Sequence, residues 1–228
     1  GSLRDVLLED RSAFDASNLI HCSEETLFRW FKMRQVPLAA ERARLIREVG
    51  LNLQRHFDGK ASKLIQSANK SVVKLVSLVT AFFPGFRDHS VYALDGRQCF
   101  FYKRAQIFCA DVWGAFKHQG LGEFTDLHRL TMFADYRVPQ IMRHYGILEY
   151  APELANTIDS KKLIPSGSVE ELEIRAATVQ AVETLKHILQ KNHRIRCKSV
   201  ELDWLLWQRG EEMRHDVQPH HRTLTIYY

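Results

Sequence analysis

The spacing of apolar residues constrains the fold of this 228-residue chain more than any other feature of its sequence. Between residues 64 and 83 apolar side chains recur every three or four positions along one stripe, at Leu64, Ala68, Val72, Leu75, Val76, Val79 and Phe83. This period matches the turn of an α-helix with one buried face, so the segment is predicted to form a single helix. Pro84 and Gly85 are predicted to end it.

Helical spacing continues through most of the chain. It predicts a helix that begins after Ser23 and further helices over residues 38–53, 105–116, 168–190 and 200–207. A helix within residues 127–145 is predicted to break near residues 137–139, because the residue before a proline disfavours helical backbone. No strand–helix–strand unit repeats. The predicted class is therefore all-α.

Two segments depart from helical spacing. Residues 90–94 and 97–101 flank Asp95-Gly96, a pair that supplies the positive φ angles of a type I′ turn, so they predict one small β-hairpin. Residues 223–228 alternate in polarity and are predicted to be extended.

Composition excludes several classes of protein. No apolar run approaches the roughly 18 residues of a membrane helix. The four cysteines are scattered without a C-x-x-C spacing, which predicts a reducing, cytoplasmic location with no disulfide and no structural zinc. The net charge of +5 is mild and suits an anionic small ligand, RNA or an ordinary enzyme surface. The opening Gly1-Ser2, without an initiator methionine, resembles an expression scar.

Common catalytic motifs are absent: the sequence has no G-x-S-x-G, phosphate-binding glycine loop or H-E-x-x-H. The densest histidine group, His215, His220 and His221, fits no standard zinc spacing, so a polar surface loop is favoured over a metal site.

Two aspartates stand among aromatic and apolar residues. Asp135 lies between Ala134 and Tyr136, beside the predicted helix break, where it either points into a cavity or caps a helix. Asp203 precedes Trp204 in an apolar segment and needs a partner if buried. A rival carboxylate, Asp126, is predicted to cap the helix that follows it.

Two further groups suit a nucleotide. Lys103 and Arg104 begin a predicted helix, where cations and free backbone N–H groups favour a phosphate, although a solvated basic turn explains them equally well. Trp204 and Trp207 share a helix face with Val200 and are either core residues or platforms for a stacked base.

Seven segments together carry a resemblance to a known family. In order they are residues 87–88, 100–106, 110–113, 130–140, 171–175, 202–207 and 226–228, with the string Thr-Met-Phe-Ala-Asp-Tyr-Arg-Val-Pro-Gln over residues 131–140 the most specific. From about Pro37 to Tyr228 the chain resembles the queuosine salvage protein family, the queuosine 5′-phosphate N-glycosylases.

The resemblance implies a fold similar to that of helix-hairpin-helix DNA glycosylases and hydrolysis of queuosine 5′-monophosphate to queuine and ribose 5-phosphate, without a metal or organic cofactor. The matching positions imply a catalytic role for Asp135. They imply base binding at or beside Phe133, Ala134, Asp203 and Trp204. Tyr136 and Trp207 are further candidate substrate contacts, and Lys103 or Arg104 is expected to hold the phosphate because of their charge. Queuine would then be available for insertion into transfer RNA.

The N-terminal part departs from the family pattern. Members are expected to carry a further N-terminal region with an aromatic Asn-Phe-containing segment and a base-contacting histidine, and no such segment occurs here. We therefore expect residues 1–36 to form a helical remainder of a larger region, residues 37–228 to form the glycosylase-like domain, and a separate chain or segment to supply the rest.

Two alternatives remain open on sequence grounds. The positive charge and aromatics permit a non-catalytic module that binds nucleotides or transfer RNA, whose affinity would fall steeply with salt. The expected fold permits a DNA glycosylase-like repair enzyme. The enzyme interpretation instead predicts a closed pocket for one nucleotide, no membrane association and no stable nucleic-acid complex.

Overall fold

The computed structural model describes residues 2–228, and over this range the chain is mainly helical, as predicted. The eleven α-helices in this range are α1 (Ser2–Glu9), α2 (Ala16–Leu19), α3 (Glu24–Phe31), α4 (Ala39–His56), α5 (Ala61–Ser67), α6 (Val72–Phe82), α7 (Lys103–Ala115), α8 (Arg137–His144), α9 (Pro152–Asp159), α10 (Val169–His193) and α11 (Ser199–Glu212). Three short 3-10 helices cover Pro84–Phe86, Gly120–Gly122 and Leu127–Arg129. None of the helices within residues 2–228 is both long enough and apolar enough to cross a membrane.

Of the helices before residue 37, α2 and α3 pack on α4, and α1 packs on α3. Ser23 begins α3 as predicted, because its hydroxyl accepts a hydrogen bond from the Thr26 backbone N–H at 3.2 Å. Helix α2 approaches α4 at Gly50, where an added Cβ atom would lie 2.8 Å from the Ala16 carbonyl oxygen. The boundary between residues 1–36 and 37–228 stays a prediction.

The predicted single helix over residues 64–83 is wrong, because the chain turns between α5 and α6. Asn69 and Lys70 adopt positive φ angles of 49° and 60°. Ser71 then begins α6 by accepting a hydrogen bond from the Lys74 backbone N–H. The spacing of apolar residues continues across the turn because both helices face the same core cluster. This cluster includes Leu64, Ala68, Val72, Leu75 and Val79.

Asp126 caps α6 rather than the helix that follows it. Its carboxylate accepts hydrogen bonds from the Val72 backbone N–H at 2.6 Å and the Ser71 hydroxyl at 2.7 Å. A carboxylate at this position stabilises the positive end of the helix dipole. The predicted local cap is therefore a contact between distant segments.

The small hairpin is present where predicted, with β1 (His89–Val91) antiparallel to β2 (Gln98–Phe100). Its turn is not type I′, since Gly96 has a φ of 74° but Asp95 does not have a positive φ. A longer loop closes the hairpin instead, with the Tyr92 backbone N–H donating to the Arg97 carbonyl oxygen at 2.8 Å.

Residues 137–139 begin a helix instead of breaking one. Residues 130–135 form no helix, and α8 starts at Arg137. Pro139 lies in the first turn of α8, where its missing N–H needs no partner. Residues 223–228 form no helix and pair with no strand in the described part of the chain, so their extended backbone stays a prediction.

Candidate active site

Asp135 lies at the junction between the extended segment and α8. Its Oδ1 atom accepts hydrogen bonds from the backbone N–H groups of Arg137 and Val138, both at 3.0 Å. The residue is only 6% exposed. The sequence suggested that Asp135 either caps a helix or points into a cavity, and both roles apply. Oδ1 caps α8, whereas Oδ2 makes no hydrogen bond within residues 2–228 and remains open to a ligand.

Asp203 is the second buried carboxylate of the site. It lies in the middle of α11, is 4% exposed, and accepts a hydrogen bond from the Phe133 backbone N–H at 2.9 Å. Burial, together with the nearby charge of Asp135, raises the pKa of Asp203 to about 7, against the lowering effects of the Phe133 N–H and of Lys103.

The two carboxylates differ in how strongly their surroundings stabilise the ionised form. Burial also raises the pKa of Asp135, but two backbone N–H groups and Lys103 oppose that shift. Asp135 lies at the N-terminus of α8, where the helix dipole favours a negative charge, whereas Asp203 has one N–H partner. We therefore expect Asp135 to ionise at a lower pH than Asp203, whose pKa of about 7 leaves it partly ionised at neutral pH.

Lys103 supplies the cation that faces this pair. Burial lowers the pKa of Lys103, and the strongest opposing effects come from Asp135 and Asp203. Its ammonium group makes no hydrogen bond within the described residues, so it is available to a ligand. Its backbone N–H donates to Asp88 Oδ2 at 3.1 Å, so a carboxylate already occupies the N-terminus of α7.

Arg175 joins the segments that carry Lys103 and Asp135. Its guanidinium pairs with both oxygens of Asp88, at 2.9 and 2.6 Å, and contacts Glu171 at 3.4 Å. Its Nε donates to the Ala134 carbonyl oxygen at 3.2 Å. Because Asp88 caps the helix that begins at Lys103, this buried arginine fixes both backbones relative to each other.

Aromatic residues complete the surroundings of Arg175. The Phe101 ring lies 3.9 Å from the guanidinium carbon and the Tyr228 ring 5.0 Å from it. The Tyr228 hydroxyl donates to Glu171 Oε1 at 2.6 Å.

The histidine group is only partly a surface loop. His215 is exposed, but His221 is 2% exposed, and burial lowers its pKa to about 3. His220 packs on Tyr136 with ring centroids 4.5 Å apart, and Asp135 is among the charges that affect it. Within residues 2–228 no cluster of three potential ligands could hold a metal ion.

The remaining predicted contacts are dispersed. Phe133 is buried in the core cluster beside α6 and α7, so it reaches the site only through its backbone. Trp204 is 38% exposed and stacks on Trp113 with centroids 5.8 Å apart. Trp207 is 46% exposed. Ala134 is buried beside Asp135.

Two cavities border this arrangement. One of about 580 Å³ is lined by Ala134, Phe101, Tyr102 and Gln106, but by neither aspartate. The other, of about 390 Å³, includes Lys103 and Arg104 in its lining. Lys103 thus connects the second cavity to the two aspartates.

Comparison with known proteins identifies the family to which the sequence is similar. The family model described as "Queuosine salvage protein" matches residues 1–228. A protein from Dictyostelium discoideum named "Queuosine 5'-phosphate N-glycosylase/hydrolase" is 50% identical over 226 residues, which cover 99% of this chain and 69% of that protein.

Two further relatives bear the same name. The protein from Sphaerobacter thermophilus is 44% identical over 100% of this chain and 70% of its own length, and the protein from Mus musculus is 37% identical over 89% of this chain and 62% of its own length. With a family match over the whole sequence, this chain belongs to the queuosine salvage protein family.

Proposed function

We propose that this chain hydrolyses the N-glycosidic bond of queuosine 5′-monophosphate and releases queuine. Family membership and the names of the relatives support this reaction. The structural observation that carries the proposal is the buried Asp135 carboxylate, held by two backbone N–H groups with one oxygen left open beside Lys103.

The reaction makes a specific demand on the protein. When the bond between ribose C1′ and the base nitrogen breaks, its electron pair leaves with the base and positive charge develops on the ribose. A fixed carboxylate below the sugar stabilises this oxocarbenium-like state or attacks it. Water then supplies hydroxyl to C1′, and a proton returns to the base. We assign the carboxylate role to Asp135.

The base is proposed to contact Asp203 and its neighbours. An ionised Asp203 accepts hydrogen bonds from the ring and amino N–H groups of queuine, while Ala134, Tyr136 and the exposed face of Trp204 border the base. A stacked aromatic contact of this type contributes about 1–3 kcal/mol per base in single-strand binders. The phosphate is proposed to bind cations at the start of α7.

The relatives are longer than this chain, which matters for whether the chain is fully active by itself. The chain spans about 70% of the first two relatives' lengths, and Trp204, Leu205 and Trp207 are exposed on α11. We propose that a further segment or a separate chain completes the base pocket. A cytoplasmic location, a fold like that of helix-hairpin-helix glycosylases and the lack of stable nucleic-acid binding also remain proposals.

The purified chain, or its assembly with the segment that completes the base pocket, is expected to release free queuine from queuosine 5′-monophosphate, measured by chromatographic separation of the base. Guanosine 5′-monophosphate and a duplex with a damaged base serve as controls and should remain intact. Cleavage of either control, together with no release of queuine, would contradict the substrate assignment.

The affinity for queuine is expected to rise with pH through the ionisation of Asp203. Its pKa is raised to about 7 by burial, so the ionised fraction increases roughly tenfold between pH 6 and pH 8. Only the ionised form accepts N–H groups at both oxygens, so the dissociation constant should fall by roughly the same factor. Calorimetric titration at three pH values measures this dependence.

Asp203→Asn provides the control for this prediction. The amide keeps the shape of the side chain and an acceptor for the Phe133 N–H, but it cannot ionise. Its queuine affinity should be weaker and independent of pH in this range. A wild-type affinity that decreases as pH rises would assign a donating, protonated role to Asp203 instead.

A further inference from the structure

A cavity of about 390 Å³ lies between α4, the start of α7 and residues 225–228. Its apolar wall comes mainly from α3 and α4 and includes Leu27, Phe31 and Leu45. The charged side chains in its lining are Arg42, Lys103 and Arg104, and no aspartate or glutamate is among the lining residues. The cavity therefore has a positive end without a protein counter-ion.

Arg104 is poorly neutralised at this end. Its guanidinium makes only long hydrogen bonds, to the Gly85 carbonyl oxygen at 3.4 Å and the Ile226 carbonyl oxygen at 3.5 Å. It packs 4.7 Å from the Phe86 ring centre and forms no ion pair within residues 2–228. Burial, followed by the positive charge of Arg42, lowers the pKa of Arg104, and the charges of Glu48 and Asp88 only partly oppose that shift.

Arg42 faces Arg104 from α4. Its Nε donates to the Pro37 carbonyl oxygen at 2.8 Å, and it has no carboxylate partner in the described part of the chain. Arg44, two residues further along α4, has the opposite surroundings, since it pairs with Glu41 at 2.6 Å and with Glu48 at 3.1 Å. Two arginines without counter-ions at one cavity match the geometry that binds an anion.

Within the first turn of α7, Lys103 and its backbone N–H are a poorer place for that anion than Arg104. Asp88 already occupies its first backbone N–H, and the Lys103 ammonium faces Asp135 and Asp203. A phosphate bound there would lie close to three carboxylates. Arg104, one residue later, is directed instead towards Arg42 and the cavity.

We propose that Arg42 and Arg104 bind the 5′-phosphate of the substrate in this cavity, while Lys103 belongs to the cluster around the aspartates. This inference rests on the proposed function and adds Arg42 as a residue that determines specificity for the monophosphate. Lys103 borders both the cavity and the aspartates. We therefore place it between the bound phosphate and the ribose that lies next to Asp135.

The test compares Arg42→Ala with Arg44→Ala, two exposed arginines on the same helix. Loss of a charge-assisted contact should raise KM for queuosine 5′-monophosphate about tenfold or more in Arg42→Ala, with little change in kcat. Arg44→Ala should stay within about twofold of wild type because it lies outside the cavity. Arg104→Lys, which keeps the charge but loses the planar fork, should show an intermediate increase.

Binding of ribose 5-phosphate, measured by calorimetry, separates this inference from the proposed function. Wild type and Arg44→Ala should bind it, and Arg42→Ala should bind it about tenfold more weakly or worse. Equal behaviour of Arg42→Ala and Arg44→Ala, or no binding to wild type, would overturn the inference even if queuine is released. Binding that depends on Arg42 without any release of queuine would support the phosphate cavity and contradict the proposed reaction.

Discussion

Asp135→Asn is expected to slow the release of queuine by a factor of about 10²–10³ or more, while the protein stays folded. The amide oxygen can still accept the N–H groups of Arg137 and Val138, so the start of α8 is kept. The variant loses the negative charge that opposes the developing cation on the ribose. A direct nucleophile would be lost as well, and the rate would then fall further. Single-turnover kinetics with queuosine 5′-monophosphate measures the effect.

Asp126→Asn is the matched control, because Asp126 caps α6 and lies outside the aspartate pair. It should keep near-normal turnover, with at most a modest loss of stability from the weakened cap. Queuine dissociation constants of both variants should remain close to wild type, since the free base carries no developing charge. Full turnover in Asp135→Asn with none in Asp126→Asn would invert the assignment.

Arg175→Met is expected to lower the free energy of unfolding by about 3–5 kcal/mol, because it leaves Asp88 and Glu171 buried without their cation. Methionine fills part of the space beside Phe101, so the main loss is electrostatic. Urea denaturation followed by circular dichroism measures the change, and an unchanged dependence on urea would show that the folded state keeps its compactness.

Arg209→Met is the control for this stability measurement. Arg209 pairs with Glu212 at 3.2 Å, but both side chains are about half exposed, so solvent screens the pair. Its loss should therefore change the free energy of unfolding very little. If Arg175→Met were no more destabilising than Arg209→Met, the buried pair would have no structural importance and the positioning role of Arg175 would be wrong.

Local patterns predicted much of the fold. Helical spacing and caps located α3, α7, α10 and α11, and the Asp95-Gly96 pair located the hairpin. The turn at Asn69 and Lys70 escaped prediction, because the apolar period runs through it without interruption. The stripe reflects the shared core of α5 and α6, and a period alone does not distinguish one helix from two that face the same core.

The sequence singled out the two aspartates of the candidate site, but not the residues that position them. Asp135 and Asp203 stood out because carboxylates in apolar segments need partners. Glu171 and Arg175 gave a weaker signal, an opposite-charge pair four residues apart on α10, which on an exposed helix face is a common surface pair. Their burial depends on Asp88, from a segment 87 residues away, so only the tertiary structure identifies them as internal.

Of the charged residues that line the proposed phosphate cavity, Lys103 and Arg104 were predicted and Arg42 was not. Arg42 has no distinguishing local pattern, and it differs from Arg44 only in the presence of carboxylates within reach. Similarly, His220 and His221 follow a polar loop, and their burial comes from contacts with Tyr136 and Tyr228.

The hydrogen bonds that shape the site also determine when it can form during folding. Phe133 meets Asp203 across 70 residues, and Arg175 meets Asp88 across 87. Closing such long loops has an entropic cost that helices formed from local contacts avoid, so helical segments can appear early while the aspartate pair assembles late. A folding intermediate that contains most of the helices would therefore be inactive. The onset of activity would mark the formation of these long-range contacts.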